Sequence, residues 1–359
     1  MNNNNGTAHC TKCALKMHRN GTTKQGKVRL RCPKCGTSVT LDGRVKRPDT
    51  RLRNMLAGIT TLLTSKWTFS EYGRRKGVSR RTISRNLREC IERLDVGPPE
   101  PTGEVYDCLI VDATWLSDGT VAIARTPEHV QQWVISNSHE GIAIWTAVFQ
   151  KITKPRCIVC DGHKSLIAAA KNVYGNDVMI QRCHFHLYNT MRSYLPASGK
   201  DPVARQLWSL FLSIKSIRTQ SDARAFERRF KQLYDQHRQY VDEHTMMTTP
   251  TNQVMPLYTH NKLHAAYALL ERLINERQLF NYVDHPELSI PSTTNLLEGG
   301  INSRIAELLK CHRGLTMKGQ AWVINLYLWT KTEFGKPTLR LREQPMYLQP
   351  RANQKVNKP

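Results

Sequence analysis

The sequence predicts an α/β protein in which a mixed sheet forms the core, a helical segment interrupts that core, and two small modules precede it. Three observations lead to this fold class. After residue 104, short apolar runs with the period of strands alternate with helical runs. Two pairs of cysteines lie near the N-terminus. Between these cysteines and the core, apolar residues recur at helical spacing.

The chain has 359 residues and is strongly basic, with 53 Lys and Arg against 29 Asp and Glu and a formal charge of +24. This excess indicates a polyanionic partner, for which nucleic acid is the best candidate. The first 100 residues hold +15 of the charge, so we expect them to bind the polyanion most strongly. No signal-peptide pattern or membrane-length apolar run is evident, and ten cysteines without a secretory signal indicate a reducing cytosol. These features argue against a secreted disulfide scaffold and an integral membrane protein.

The first module, residues 1–46, is predicted to be a zinc ribbon. Cys10, Cys13, Cys32 and Cys35 form two C-x2-C pairs separated by 18 residues. Four thiolates at this spacing are typical of a closed, tetrahedral Zn²⁺ site. The segment is too polar to bury a core, so metal binding would supply its folding energy. We therefore expect one structural Zn²⁺ and no open coordination position for catalysis.

Residues 50–95 are predicted to be a helix-turn-helix DNA-binding domain. Two helical patterns are followed by a turn at Gly77 and by a third helix capped by Ser79. The outer face of this third helix carries residues suited to phosphates and guanine edges, namely Arg80, Arg81, Ser84, Arg85 and Arg88. The alternative is a basic, solvated helix hairpin that reads no bases. The proline-rich residues 96–104 are the predicted linker to the core.

Residues 105–195 are predicted to form the first part of the core. Their pattern indicates three strands, a helix, a strand over 157–160, a second helix and a fifth strand. This order matches a ribonuclease-H-like fold of the retroviral-integrase type, in which the first and fourth strands are neighbours. Asp112 and Asp161 each lie near the end of one of these two strands. We therefore expect the two carboxylates to lie side by side.

Two adjacent carboxylates repel each other unless a divalent cation neutralises them, and oxygen ligands suit Mg²⁺ or Mn²⁺. Glu298 is the best candidate for a third carboxylate. On a regular helix Glu307 would be half a turn out of phase with it, whereas Asn295 and Asn302 would share its face. The adjacent pair Gly299–Gly300 is costly in a helix, which predicts the close approach of another backbone.

A C-x2-H pattern at Cys183 and His186 has two interpretations. With Cys157 and Cys160 it spells C-x2-C…C-x2-H, which could be a second zinc site. Residues three apart on a strand point to opposite faces, however, so Cys157 and Cys160 should not share a metal ion. In the other interpretation, Cys183 packs at the end of its strand and His186 hydrogen-bonds near the acidic residues or the DNA. The role of the pair stays open.

Four motifs resemble the DDE transposases of bacterial insertion sequences, and fit best the branch related to eukaryotic Mutator-like elements. They are VDATW around Asp112, CDGHKSL around Asp161, CHFH from Cys183 to His186, and TTNLLEGGINSRI around Glu298. The resemblance covers about residues 106–330. It implies that Asp112, Asp161 and Glu298 are the catalytic triad and hold two Mg²⁺ or Mn²⁺ ions. Cys183 and His186 match the C-x2-H motif of the family.

The resemblance also implies an all-helical insertion between Asp161 and Glu298. We place this insertion at residues 196–288, the last part of the core at 289–335 and a basic tail at 336–359. Related enzymes carry a basic residue about two turns after the glutamate. Here position 305 is Ile, so Arg304 and Arg313 remain candidates for that role.

The function implied by the resemblance is that of a transposase, a polynucleotidyl transferase that hydrolyses and transesterifies phosphodiesters. It would bind the terminal inverted repeats of its element and join them to target DNA. We expect a homo-oligomer, because two ends must be paired, acting at the nucleoid in the bacterial cytoplasm. Two alternatives remain. A domesticated DNA-binding regulator would not need the three acids, whereas a ribonuclease-H-like nuclease without strand transfer would share every catalytic residue.

Overall fold

The chain divides into two compact units, Met1–Arg93 and Leu94–Pro359. No helix in the described part of either unit is long and apolar enough to cross a membrane. The computed structural model describes residues 8–24, 26–40, 48–65, 67–195, 199–248, 253–335 and 340–341.

The first unit begins with a small antiparallel sheet of three strands. These are β1 (His18–Thr22), β2 (Val28–Arg31) and β3 (Ser38–Thr40), paired in that order. The buried residues beneath this sheet are few: Cys10, Met17, Leu30 and Cys32. Two of the four cysteines predicted to bind zinc are thus half of the core. A core this small needs a second source of stability, as the sequence indicates.

Three helices complete the first unit: α1 (Pro48–Thr64), α2 (Phe69–Lys76) and α3 (Arg80–Arg93). The predicted turn between α2 and α3 is present, and Gly77 ends α2 with a φ of +65°. A Cβ on Gly73 would lie only 2.6 Å from the carbonyl oxygen of Val78, so this position also requires glycine. Ser79 Oγ accepts a hydrogen bond of 3.1 Å from the backbone N–H of Thr82 and caps α3, as predicted.

The second unit is built around a mixed five-stranded sheet. After the short strand β4 (Leu94–Asp95), its strands are β5 (Cys108–Leu116), β6 (Gly119–Arg125), β7 (Val130–Ser136), β8 (Cys157–Cys160) and β9 (Met179–Arg182). The spatial order is β7-β6-β5-β8-β9, with β8 parallel to both β5 and β9 and the other pairs antiparallel. The strand that carries Asp112 therefore lies beside the strand that ends just before Asp161.

Two helices cover one face of this sheet, α4 (Ile142–Phe149) and α5 (Lys164–Tyr174). Trp145 and Phe149 of α4 are completely buried against Leu109 and Ile158 of the sheet. This packing holds β5 and β8 against the helices and so helps to fix the part of the sheet where the two aspartates lie.

A mainly helical segment follows the sheet. Its elements are α6 (His184–Tyr194), α7 (Pro202–Leu212), α8 (Gln220–Val241), β10 (His244–Thr248), β11 (Val254–Tyr258), α9 (Asn261–Asn275) and α10 (Asn281–Asp284). The expectation of an all-helical insertion is wrong, because β10 and β11 form an antiparallel hairpin. The cause is local composition: these strands hold two Thr, a Val and a Pro, which all disfavour a helix.

The last part of the core is not one regular helix. It consists of α11 (Asn295–Leu297), a π-helical turn (Glu298–Asn302), α12 (Ser303–Cys311) and α13 (Met317–Trp329), followed by β12 (Arg340–Leu341), which pairs with β4. The expected close approach at Gly299–Gly300 is also wrong. A Cβ on either glycine would meet nothing within 4 Å in the described chain. The remainder of the predicted basic tail lies outside the described residues.

Candidate active site and metal sites

Asp112 lies in the middle of β5 and is only 8% exposed. Its Oδ2 accepts a hydrogen bond of 2.7 Å from Nδ2 of Asn302, which is buried at the end of the π-helical turn. Burial raises the pKa of Asp112 to about 7; His186 opposes this rise, and the carboxylates of Asp161 and Glu298 add to it. Without a cation, this carboxyl is therefore held close to its neutral form.

Asp161 directly follows β8, at the edge of the sheet that Asp112 also faces. The parallel register pairs Ile110 with Val159, and two residues further along each strand lie the two aspartates. Asp161 Oδ1 accepts a hydrogen bond of 2.7 Å from the backbone N–H of His163. The structure thus brings Asp112 and Asp161 together. One ligand atom from each lies within 4.8 Å of the other and of a ring nitrogen of His186.

Glu298 is the first residue of the π-helical turn and approaches the same place from the other side. Its Oε1 accepts a hydrogen bond of 2.6 Å from the hydroxyl of Thr294 and lies 3.5 Å from Nδ1 of His186. One carboxylate oxygen of Glu298 lies within 4.8 Å of ligand atoms of both His186 and Cys183. Glu298 shares no such cluster with the two aspartates among the described residues. His186 therefore stands between the third carboxylate and the other two.

Cys183 contacts the acidic residues through Thr294. Both the backbone nitrogen and Oγ1 of Thr294 lie 3.3 Å from Cys183 Sγ, and both residues are completely buried. The Thr294 hydroxyl donates towards both the Cys183 sulfur and the Glu298 carboxylate, so this one residue links the two. The Cys183 sulfur is the main cause that raises the pKa of His186 to about 9; burial opposes this rise, and the nearby carboxylates support it.

The other polar residues near Glu298 fall into two groups, those that contact the acidic site and those that do not. Asn302 shares its face as expected, whereas Asn295 is exposed and bonds to neither aspartate. Glu307 pairs with Arg304 at 2.5 Å and joins no metal-capable cluster among the described residues. Ile305 is buried and Arg313 is exposed.

For three residues at this site the sequence did not predict the contacts that the structure shows. Thr294 is an ordinary helix-start residue in sequence, and only the fold shows its contact with Cys183. His186 was expected near the acidic residues, but not between them. The third is Arg182: a Cβ on Gly162, next to Asp161, would fall 0.8 Å from its Nη1. A glycine after a strand-end aspartate was the one available signal for such a close neighbour.

The donor set fits a hard divalent cation. Carboxylate oxygens from Asp112, Asp161 and Glu298 are the ligands that Mg²⁺ and Mn²⁺ take in proteins. Two buried atoms at the same place, His186 Nδ1 and Asn302 Oδ1, have no hydrogen-bond partner among the described residues. Unsatisfied buried polar atoms are rare, and beside a carboxylate cluster they favour an ion or ordered water in the working protein. This acidic cluster could therefore bind metal.

Asp112→Asn is expected to stabilise the metal-free protein, and increasingly so with rising pH. A carboxyl with a folded pKa near 7 and an ordinary value of 3.8 when unfolded costs stability as pH rises through that interval. The full cost, about 2–4 kcal/mol, is present above pH 7. Melting temperatures in EDTA at pH 5 and pH 8 measure it, with the exposed Asp118→Asn as control. A pH-independent difference between Asp112→Asn and wild type would contradict this account.

The four N-terminal cysteines form a second metal-capable cluster. One sulfur from each of Cys10, Cys13, Cys32 and Cys35 lies within 4.8 Å of the others, and Cys10 Sγ is 3.4 Å from Cys35 Sγ. Hydrogen bonding with Thr37 lowers the pKa of Cys35 to about 6, whereas hydrogen bonding with Cys35 raises the pKa of Cys13 to about 12, so of these two thiols Cys35 becomes the thiolate first. The cluster fits a zinc ribbon and could hold one Zn²⁺ ion.

The alternative zinc site has no support in the described residues. Neither Cys157 nor Cys160 belongs to a metal-capable cluster with Cys183 and His186. Cys160 instead packs in the apolar core beneath α5, and Cys157 is completely buried. Burial raises the pKa of Cys160 to about 12, so its thiol stays neutral.

The predicted DNA-reading residues lie on the outer face of α3. Arg80, Arg81, Arg85 and Arg88 are exposed, and Ser84 is half-buried beside them. Ile83, Leu87 and Cys90 are buried on the opposite face. The helix thus presents a cationic face and an apolar one.

Comparison with protein families matches residues 6–306 to the family described as "Transposase, Mutator family". A comparison with curated proteins finds no match. The matched region runs from just before the cysteine cluster to beyond the π-helical turn and includes Asp112, Asp161, Cys183, His186 and Glu298. It covers most of the chain and confirms the resemblance noted in the sequence: the chain belongs to the Mutator family of transposases.

Proposed function

We propose that this transposase binds the ends of its element and catalyses metal-dependent DNA cleavage and strand transfer with a ribonuclease-H-like core. The observation that carries the proposal is the convergence of Asp112 and Asp161 with Glu298, through His186, at one edge of the sheet. A chain with 24 excess positive charges has no evident use for three clustered acids unless they bind a cation. A cation there would lie where a DNA phosphate could reach it.

In this proposal Asp112, Asp161 and Glu298 hold two Mg²⁺ or Mn²⁺ ions. The chemistry that such ions supply when bound is polarisation of the scissile phosphate and activation of the attacking oxygen of water or a 3′-hydroxyl. The carboxylates also set the positions at which attacking and leaving oxygens can be in line. Neither a protein nucleophile nor a nucleotide cofactor is required.

The surrounding residues act by orienting the acids. Asn302 holds one oxygen of Asp112 by a 2.7 Å hydrogen bond. Thr294 holds Oε1 of Glu298 in the same way, and Cys183 in turn holds Thr294. This gives the C-x2-H motif a role in our proposal, because Cys183 and His186 fix the direction in which Glu298 points.

The test is an assay of wild-type protein with duplex oligonucleotides that carry the inverted repeats flanking its gene. We expect Mg²⁺-dependent release of a 3′-hydroxyl at the repeat and its joining to a target plasmid, with no reaction in EDTA. Cleavage without joining would instead favour the nuclease. Tight binding to the repeats without either reaction would favour the DNA-binding regulator.

We further propose that α3 reads the element ends and that two chains pair them as a homo-oligomer. Arg81→Ala and Arg85→Ala should each weaken binding to the repeats by about 5- to 100-fold and lower the salt dependence of binding by about one counterion. Fluorescence anisotropy across a salt series measures both. Arg156→Ala is the matched control, because this exposed arginine precedes β8 at the end of the strand away from Asp161. If Arg81→Ala and Arg85→Ala bind as tightly as wild type, recognition lies on another surface.

A further inference from the structure

An open cleft of about 610 Å³ lies between the start of α6, the end of α7 and the segment that leads into α11. Its volume is within the usual range of small-ligand sites. Three kinds of residue matter among those that line it: the aromatic Phe185 and Tyr188, the cationic Lys215 and Arg218, and the polar Asn295.

This cleft opens directly beside the acidic cluster. The ring of Phe185 stands perpendicular to that of His186, with 5.9 Å between centroids, and His186 Nδ1 is 3.5 Å from Glu298. On the other wall, Asn295 begins α11 only three residues before Glu298. A strand whose phosphate is at the acidic cluster therefore has its neighbouring nucleotide within reach of this cleft.

The walls offer an exposed ring surface. Phe185 is 43% exposed although it is a large apolar side chain. Tyr188 is half-buried and supported from behind by Trp208, with 5.5 Å between ring centroids. Bases within a duplex already stack on each other, so such rings can contact the face of a base only when the base has left the stack.

The rim offers positive charge. Lys215 Nζ lies 4.8 Å from the centre of the Tyr188 ring. The guanidinium of Arg218 is fixed by hydrogen bonds of 2.7 and 2.9 Å to the carbonyl oxygens of Lys215 and Ile217. None of the described residues that line the cleft is acidic, although the triad is adjacent. An aromatic wall with a cationic rim is complementary to a nucleotide, which has an aromatic face and an anionic phosphate.

We infer that this cleft binds an unpaired nucleotide of the DNA strand next to the scissile phosphate. The base stacks on Phe185 and Tyr188, and its phosphate contacts Lys215 and Arg218. The inference rests on the proposed cleavage function, which it extends by giving the enzyme a preference for strands that are unpaired at the site of reaction.

The experiment compares full-length wild-type and variant protein binding to two fluorescein-labelled probes in EDTA, a 12-nucleotide oligothymidine and a 20-base-pair duplex. Phe185→Ala combined with Tyr188→Ala should weaken binding of oligothymidine by about 5- to 100-fold, as loss of base stacking does. Binding of the duplex should change by less than about twofold, because the first unit carries it. Lys215→Gln should lower the salt dependence of oligothymidine binding only.

Two further variants serve as controls. Phe185→Trp keeps a ring and should bind oligothymidine as wild type does, which separates stacking from a folding defect. Phe334→Ala removes an aromatic side chain that is 55% exposed outside the cleft, and should change neither affinity. Equal losses for both probes, or normal oligothymidine binding by the double variant, would overturn the inference. Because binding is measured without metal, a wild-type protein that fails to cut DNA would contradict the proposed function but not this result.

Discussion

Glu298→Gln, Asp112→Asn and Asp161→Asn are each expected to lower Mg²⁺-dependent cleavage and joining at least 100-fold. Each change removes one negative metal ligand while nearly preserving side-chain volume. Loss of a residue that only orients a ligand already costs about 10- to 100-fold in such sites, so loss of the ligand should cost more. Binding to the repeats should persist, because the cationic face of α3 lies in the other unit. Single-turnover assays on the repeat duplex measure the rates.

Glu307→Gln is the matched control for this prediction. Glu307 lies on the same stretch of chain, but its partner is Arg304 and it belongs to no cluster with the aspartates among the described residues. We expect its cleavage rate within a few-fold of wild type. Near-normal cleavage by Glu298→Gln together with loss in Glu307→Gln would show that the third carboxylate is misassigned. The assignment of Asp112 and Asp161 as metal ligands would not be affected by that result.

Replacing Cys10 and Cys13 by Ser is expected to release one tightly bound Zn²⁺ per chain and to unfold the β1–β3 sheet. The apolar core of this sheet includes two of the four cysteines and little else, so metal ligation supplies most of its stability. Structural zinc contributes about 10–16 kcal/mol of apparent binding free energy in comparable small modules. Metal analysis after gel filtration gives the stoichiometry, and proteolysis of the first 46 residues reports unfolding.

Cys311→Ser is the control for the zinc prediction, since Cys311 is exposed and lies in the second unit. It should retain one Zn²⁺ per chain. Wild-type protein without zinc would contradict the ribbon. Two Zn²⁺ ions per chain would instead indicate that Cys183 and His186, with Glu298, hold the second ion.

The parts of this structure that sequence predicts are those determined by local pattern. Apolar runs with period two gave the strands of the core, and the pairing of β5 with β8 then brought Asp112 and Asp161 together. The four-residue spacing between Glu298 and Asn302 was sufficient to predict that both lie on one face, because four residues are close to a full turn in an α-helix and in a π-helical turn. The cysteine spacing likewise predicted the cluster of four sulfurs.

The parts that sequence does not predict depend on contacts between distant segments. The π-helical turn at Glu298 adds a residue to the helical repeat, and no local residue preference signals it. Thr294 gains its role only because Cys183, 111 residues earlier, lies against it. The β10–β11 hairpin was missed because the resemblance suggested helices, although its own composition disfavours them.

The contacts of α13 with the first residues of the second unit affect the order in which a newly synthesised chain folds. The indoles of Trp322 and Trp329 donate to the carbonyl oxygens of Leu94 and Gly97, so the last helix of the core is anchored to the first residues of its unit. The second unit cannot be completed until both ends have been synthesised, whereas Met1–Arg93 is a separate compact unit that is synthesised first. At ribosomal rates of about 5–20 residues per second, roughly 10 to 50 s separate the two events. During that interval the nascent chain, still attached to the ribosome, would be able to bind DNA through its first unit but not to cleave it.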